Sequence, residues 1–197
     1  MRRYSLAIII NTFGNRNLKY VVQSLKSITN LTNDIAVVLS WSNPPANSRE
    51  IVEALSRELG LPVITLFLPR MGSAKQRDIT LRFVTRHFPN IDYIVYVEDD
   101  VLISNEDWLY HLVRAMDSMP RNVALVSLER GSRLCLDFVV TPVMPAGRAY
   151  VALSRGSGAY IIRADVVKEL IRLGLGTYSR FMYFHWEDME FVLKLWF

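Results

Sequence analysis

Apolar residues along this chain fall into two kinds of block. One kind is short and continuous, at residues 5–13, 35–39, 62–68, 94–97 and 123–128. Runs of that length, bounded by turn residues, predict strands covered on both faces. The other kind is spaced at three and four: Leu18, Val21, Val22, Leu25 and Ile28; Ile51, Val52, Leu55 and Leu59; Ile79, Phe83 and Val84. That spacing lines up apolar side chains on one face of a helix. The punctuation agrees, since Ser48 is placed to cap a helix and Gly60 to stop it. Gly72-Ser73 opens another helix that ends before Pro89, and Asn105 caps one ended by Pro120. Strands and helices in alternation predict an α/β fold with a doubly wound, mostly parallel central sheet flanked by helices.

The second half is less regular. Residues 131–148 hold two prolines among mixed polarity and read as a loop able to close over a ligand. Residues 150–153 and 159–162 read as short strands of a smaller mixed sheet, residues 164–173 as a helix with Gly174 behind it, and a last helix starts near Glu187. A chain of 197 residues is expected to form one domain.

No apolar run reaches the roughly 20 residues of a membrane span, so none is expected. Met1-Arg2-Arg3 before Leu6-Ala7-Ile8-Ile9-Ile10 imitates a leader, but the apolar stretch is short and reads better as a buried first strand. A lone cysteine, Cys135, forms no internal disulfide, and an intracellular, cytoplasmic setting is favoured. Lys and Arg outnumber Asp and Glu by 23 to 19, a net charge of +4. That balance suits an anionic ligand such as a nucleotide diphosphate or a lipid phosphate, and leaves peripheral membrane contact open. With no basic arm and no interleaved aromatic platform, nucleic acid is not expected as a partner.

Three groups of residues carry candidate chemistry. Glu98-Asp99-Asp100 ends the apolar run at 94–97, and open α/β sheets bind ligands at the carboxyl ends of their strands. Adjacent carboxylates repel one another, a cost that folds accept when Mg2+ or Mn2+ is held there together with substrate phosphates. A solvated turn with a local Asp cap is the plainer alternative. Glu187-Asp188 opens the last helix, where Asp188 shares a face with Val192 and Leu195 and so points inward. A carboxylate aimed into a partly dry cleft can take a proton from a hydroxyl, although both acids also suit the helix dipole. In Gly72-Ser73-Ala74-Lys75-Gln76-Arg77-Asp78, backbone amides at a helix start suit phosphate and Arg77 can add a bidentate grip. For Lys75 an ordinary surface role is the better reading. There is no Walker lysine loop, and Gly156-Ser157-Gly158 lacks the third glycine of the dinucleotide fingerprint. His185 reads as packing, with metal ligation as the alternative, and neither Cys135 nor Ser157 has a base nearby in sequence.

The order of these features resembles a GT-A glycosyltransferase related to family 2. Ile8-Ile9-Ile10-Asn11-Thr12-Phe13 followed by Leu25-Lys26-Ser27-Ile28 is similar to the family's opening strand and helix, where the nucleobase is held. Gly72 with Arg77-Asp78 resembles its Gly then Arg-Asn segment, and Glu98-Asp99-Asp100 looks like its D-x-D metal motif. Gly156-Ser157-Gly158-Ala159-Tyr160 and then Trp186-Glu187-Asp188 resemble its acceptor-side glycine segment and terminal E-D base motif. The resemblance covers nearly the whole chain. It differs at Asp78, where Asn is usual, at Ser42-Asn43, where an acidic residue often reads the nucleotide, and at Thr80, where glycine is common.

What the resemblance implies is a nucleotide-sugar donor, a divalent cation (Mn2+ or Mg2+), and an acceptor hydroxyl on a glycan, a glycoprotein or a lipid. Thr12, Phe13, Arg16, Ser42, Arg77, Asp78, Glu98 and Asp99 would face the donor, with Asp99 on the ribose. Asp100 would hold the metal with help from Glu98, Asp188 would be the base of an inverting transfer beside Glu187, and Trp186 would stack on the acceptor. Residues 1–104 would then be the nucleotide-binding half and 105–197 the acceptor-binding and catalytic half. A Mg2+-dependent nucleotidyltransferase and a non-catalytic nucleotide-sugar binding module remain the rival readings. A receiver-like signalling domain would leave the second half unexplained.

Overall fold

The structure, a computed structural model, describes residues 5–16, 18–26, 34–103, 107–121, 123–128, 143–144, 147–148 and 158–175. Within these the order is β1 (Ser5–Phe13), α1 (Lys19–Lys26), β2 (Asp34–Ser42), α2 (Ser48–Leu59), β3 (Val63–Leu68), α3 (Ser73–His87), β4 (Tyr93–Glu98), α4 (Trp108–Ser118), β5 (Leu125–Ser127), β6 (Val143–Met144), β7 (Gly147–Arg148), β8 (Ala159–Arg163) and α5 (Ala164–Arg172). Six strands make one sheet in the order β3-β2-β1-β4-β8-β5, while β6 and β7 form a separate antiparallel pair. Strands β1 to β4 pair in parallel.

Side chains alternate across a strand, and here each face has its own helix layer. Leu6, Ile8 and Ile10 of β1, with Val95 and Val97 of β4, pack against Leu25, Leu55, Leu59, Leu112 and Met116 from α1, α2 and α4. Ala7, Ile9, Ile94 and Tyr96 face Ala74, Leu81 and Val84 of α3 and Val167 and Leu170 of α5. Fully burying each such aliphatic side chain is worth about 1.5–3 kcal/mol, which is why the apolar runs occupy the middle of the sheet. Gly60 ends α2 in the left-handed region, at φ 63°, as its place in the sequence predicts.

Two expectations change. The central sheet is mostly parallel as expected, but the strand read at 159–162 joins it rather than a smaller sheet: β8 enters between β4 and β5 and pairs antiparallel with both. Ala159 to Ile162 are buried whereas β5 is half-buried, so the more apolar strand takes the interior place and the shorter one the edge. An antiparallel neighbour needs no crossover helix, so nothing in the topology forbids the insertion. Second, the inner face of α3 includes Val84 as expected, but Ile79 and Phe83 are only half-buried, and Gln76, Arg77, Asp78 and Thr80 are buried beside Leu81 and Val84. The first turns of this helix lie against strand ends, which offer polar partners. The strand expected at 150–153 and the helix expected from Glu187 lie outside the described residues.

Candidate active site

From β1 the chain passes through α1 to β2 on one side, while α3 leads to β4 on the other. The carboxyl ends of β1 and β4 therefore flank the topological switch point of the sheet, where open α/β folds bind ligands. Thr12 and the loop residue Arg16 meet Asp99 and Asp100 at this place.

Strand alternation separates the acidic side chains. Glu98 continues the face of Ile94 and Tyr96, and Asp99 that of Val95 and Val97. Asp99 is buried, its Oδ2 accepting from Thr12 Oγ1 at 2.6 Å and its Oδ1 from Arg16 Nη1 at 2.8 Å. Glu98 Oε1 lies 3.5 Å from Arg77 Nη2 on the other face. Asp100 turns outward, its side chain 64% exposed and its Oδ2 3.6 Å from the same Arg16 nitrogen. The charge on Asp99 raises the Arg16 guanidinium above its ordinary pKa, against a smaller opposing effect of burial.

Beneath the acids is a polar layer anchored by α3. Gln76 Nε2 donates to the carbonyls of Thr12 (3.0 Å) and Ser40 (2.7 Å), joining the ends of β1 and β2. The buried Arg77 guanidinium lies 4.9 Å from the centre of the Tyr96 ring, which stacks on Tyr160 at 5.0 Å. Asp78 accepts from Arg82 Nε at 2.8 Å within the helix. Ser42 is buried, its Oγ donating to the Pro69 carbonyl and accepting from Met71 N, so it fastens a loop. Asn43, next to it, has φ 54° and donates its N–H to the Leu68 carbonyl. Phe13 is 40% exposed beside Gly14, whose carbonyl accepts from Trp41 Nε1 at 2.8 Å. The structure thus gathers Thr12, Arg16, Asp99 and Asp100 on one side of the strand end and Arg77 with Glu98 on the other. Sequence reasoning missed Gln76 and Tyr96. For Tyr96 a signal existed, because it stands two residues before Glu98 and so on the same face.

As a place for a divalent cation, this strand end offers hard oxygen donors, of which Asp100 is the outward one. Both oxygens of Asp99 already accept hydrogen bonds. Among the described residues no three His, Cys, Asp or Glu side chains converge as a cage. One or two carboxylates suit an ion that arrives with substrate phosphates and keeps several waters, so the donor set fits Mg2+ or Mn2+ in that mode. Glu187, Asp188, His185 and Trp186 lie outside the described residues. Among the described residues no helix is long and apolar enough to cross a membrane.

The comparisons agree with this fold. The profile of Glycosyl transferase family 2 matches residues 7–139. No curated protein sequence matches the chain. Among solved structures, the mannosyltransferase PcManGT from Pyrobaculum calidifontis, in complex with GDP-Man and Mn2+, superposes with a TM-score of 0.70 at 16% identity, over 98% of this chain and 52% of that one. TarS from S. aureus in complex with UDP-GlcNAc gives 0.61 at 19% identity, over 97% of this chain and 53% of that one. The 4-diphosphocytidyl-2C-methyl-D-erythritol synthase from Anaerococcus prevotii gives 0.59 at 9% identity, over 98% and 82%. The chain spans about half the length of the two sugar-nucleotide complexes. At these identities the likenesses show a shared fold.

Proposed function

This chain belongs to glycosyl transferase family 2, and on that premise we propose that it moves a sugar from a nucleotide-diphosphate donor to an acceptor hydroxyl. The observation that carries the reading is the meeting of Thr12, Arg16, Asp99 and Asp100 at the switch point between β1 and β4. Two neighbours in fold carry GDP-Man with Mn2+ and UDP-GlcNAc, which supports a sugar nucleotide as donor.

In this reading Glu98-Asp99-Asp100 serves as the D-x-D motif, and residues 1–104 hold the nucleotide. Asp99, fixed by Thr12, addresses the ribose, Phe13 offers an exposed ring near the base, and Arg77 with Glu98 lines the donor side. Asp100 would hold Mn2+ or Mg2+, with Glu98 assisting from the Arg77 side, and the ion's charge would offset that of the departing diphosphate. Asp188 takes the proton of the acceptor hydroxyl in a single displacement that inverts the anomeric centre, and Glu187 orients the acceptor. The acceptor is a glycan, glycoprotein or lipid-linked hydroxyl.

The test is a panel of UDP- and GDP-sugars in thermal shift with Mn2+ or with EDTA, followed by assay of nucleoside diphosphate release. Stabilisation and release that need Mn2+, and that Asp100→Ala removes, are expected. Equal nucleotide binding in EDTA would count against a metal role for the cluster, and binding without turnover would return the chain to a sugar-nucleotide binding module. A nucleotidyltransferase is the second reading, favoured by the fit to the diphosphocytidyl synthase over most of its length. It would release pyrophosphate from a nucleoside triphosphate and keep its rate in Asp188→Asn.

A further inference from the structure

Arg16 Nη1 stands 2.8 Å from Asp99 Oδ1 and 3.6 Å from Asp100 Oδ2, so one guanidinium spans two adjacent carboxylates. The two contacts are unequal. Asp99 is 6% exposed and held from behind by Thr12, whereas Asp100 is 64% exposed and its contact is long. An exposed pair at that separation is weak and screened, while the shorter charge-assisted bond to the buried partner is the firm one. Arg16 itself is 54% exposed, and the loop behind it is pinned at Gly14, whose N–H donates to Ser42 O at 3.0 Å and whose carbonyl accepts from Trp41. The backbone is therefore fixed and the long side chain is where movement is available.

We propose that Arg16 is the resident counter-ion of the Asp99–Asp100 pair, giving up Asp100 only when a divalent cation arrives together with a diphosphate. The proposal rests on the reading that Asp100 takes that cation. A bare divalent ion approaching Asp100 meets a positive guanidinium already beside it and is disfavoured. A nucleoside diphosphate carries roughly three negative charges near neutral pH, so its complex with a divalent ion is a net anion. That anion is attracted to the same guanidinium, which turns from Asp100 to the phosphate oxygens while the metal takes the released carboxylate. No covalent bond changes. Arg16 thereby makes metal and nucleotide bind as a unit, and keeps the Asp99–Asp100 pair from collecting free metal ions.

The consequence is a pair of opposite effects from one substitution. Arg16→Gln removes the charge and keeps a polar side chain of similar reach. Mn2+ alone should then bind about tenfold more tightly, the effect of taking a single positive charge away from a site roughly 6 Å distant in a water-like dielectric. UDP or GDP in the presence of saturating Mn2+ should bind more weakly, by about tenfold or more, as a charged hydrogen bond to phosphate is lost. Arg16→Lys, which keeps the charge, should hold Mn2+ alone near the wild-type affinity and serves as the control for general damage to the loop.

Free Mn2+ is read directly from its electron paramagnetic resonance signal during titration of wild type, Arg16→Gln, Arg16→Lys and Arg16→Gln/Asp100→Ala, each first checked for a cooperative melt. Tighter Mn2+ binding in Arg16→Gln, cancelled by Asp100→Ala and absent in Arg16→Lys, supports the proposal. If wild type and Arg16→Gln bind Mn2+ alone equally, Arg16 is no counter-ion to the metal and the proposal falls, although the metal reading of Asp100 survives. If no variant binds Mn2+ with or without UDP or GDP, the metal reading fails as well and takes the proposal with it.

Discussion

Gly158 stands just before β8, where the chain passes the acidic turn, and replacing its hydrogen with a methyl tests how tightly that turn is packed. A Cβ built there would lie 2.5 Å from Val101 Cγ2, 3.1 Å from Cγ1 and 3.3 Å from Cβ. Carbon atoms rest at about 3.5–4.0 Å, so one of the two segments must move by about 1 Å. Valine cannot swing clear, because its branched Cβ leaves little rotamer freedom. The Gly158 carbonyl also accepts from Glu98 N at 2.8 Å, so any separation pulls on the backbone that carries the acids. Overpacking of this kind costs about 1–3 kcal/mol. In a domain of this size that lowers Tm by roughly 2–12 °C. Gly158→Ala should therefore melt early and lose Mn2+-dependent nucleotide stabilisation beyond what the melting shift explains. Val101→Ala in the same chain opens the space, and a double-mutant cycle by urea denaturation should return a favourable coupling of about 1 kcal/mol or more. A Gly158→Ala protein that melts with wild type, or a coupling of zero, refutes the packing argument.

Other outcomes follow from the proposed function. Asp188→Asn should lower transfer about a hundredfold or more with donor affinity and Tm little changed, measured by initial rates and calorimetry; an unfolded variant would make the carboxylate structural, and a retained anomeric configuration in the product would end the single-displacement reading. Arg77→Ala should weaken binding of a UDP or GDP donor by about 1.5–3 kcal/mol in calorimetry, and unchanged affinity would leave Arg77 a structural role beside Glu98 and Tyr96. Gln76→Leu strands the Thr12 and Ser40 carbonyls and should cost about 1–3 kcal/mol in urea denaturation, whereas a neutral result would mean that water replaces the amide.

The strand-helix alternation was readable because its signals are local: apolar runs at β1 and β4, Gly60 in the left-handed cap, and Pro89 and Pro120 after α3 and α4. The position of β8 was not, since a buried five-residue strand carries the same apolar signature whichever way its neighbours run. The acidic triplet was read from the sequence as one cluster, whereas the structure divides it. Period two alone would have divided it, sending Glu98 toward Arg77 and Asp99 toward Thr12. The burial of Gln76, Arg77 and Thr80 stayed hidden for a different reason, because helix periodicity seeks apolar side chains and their partners are carbonyls and carboxylates brought in by the sheet. Ser42 shows the reverse limit, a residue placed at the nucleotide by resemblance whose hydroxyl is engaged with Pro69 and Met71.

The insertion of β8 beside β4 also bears on how the molecule is made. Strands β1 to β4 can associate as soon as they have been synthesised, but the second edge of β4 waits for a partner about sixty residues downstream. Closing so long a loop is entropically unfavourable and slow compared with pairing nearby elements. At about 5–20 residues per second on a ribosome, that edge stays uncovered for roughly 3–12 seconds. Its sequence, Tyr93-Ile94-Val95-Tyr96-Val97, is apolar and rich in strand formers, the composition most prone to pairing with another nascent chain. The Glu98 N–H meets the Gly158 carbonyl only when the missing strand arrives. Synthesis of the last third of the chain therefore sets the moment at which the acidic turn acquires its shape, and chaperone dependence should peak just before it.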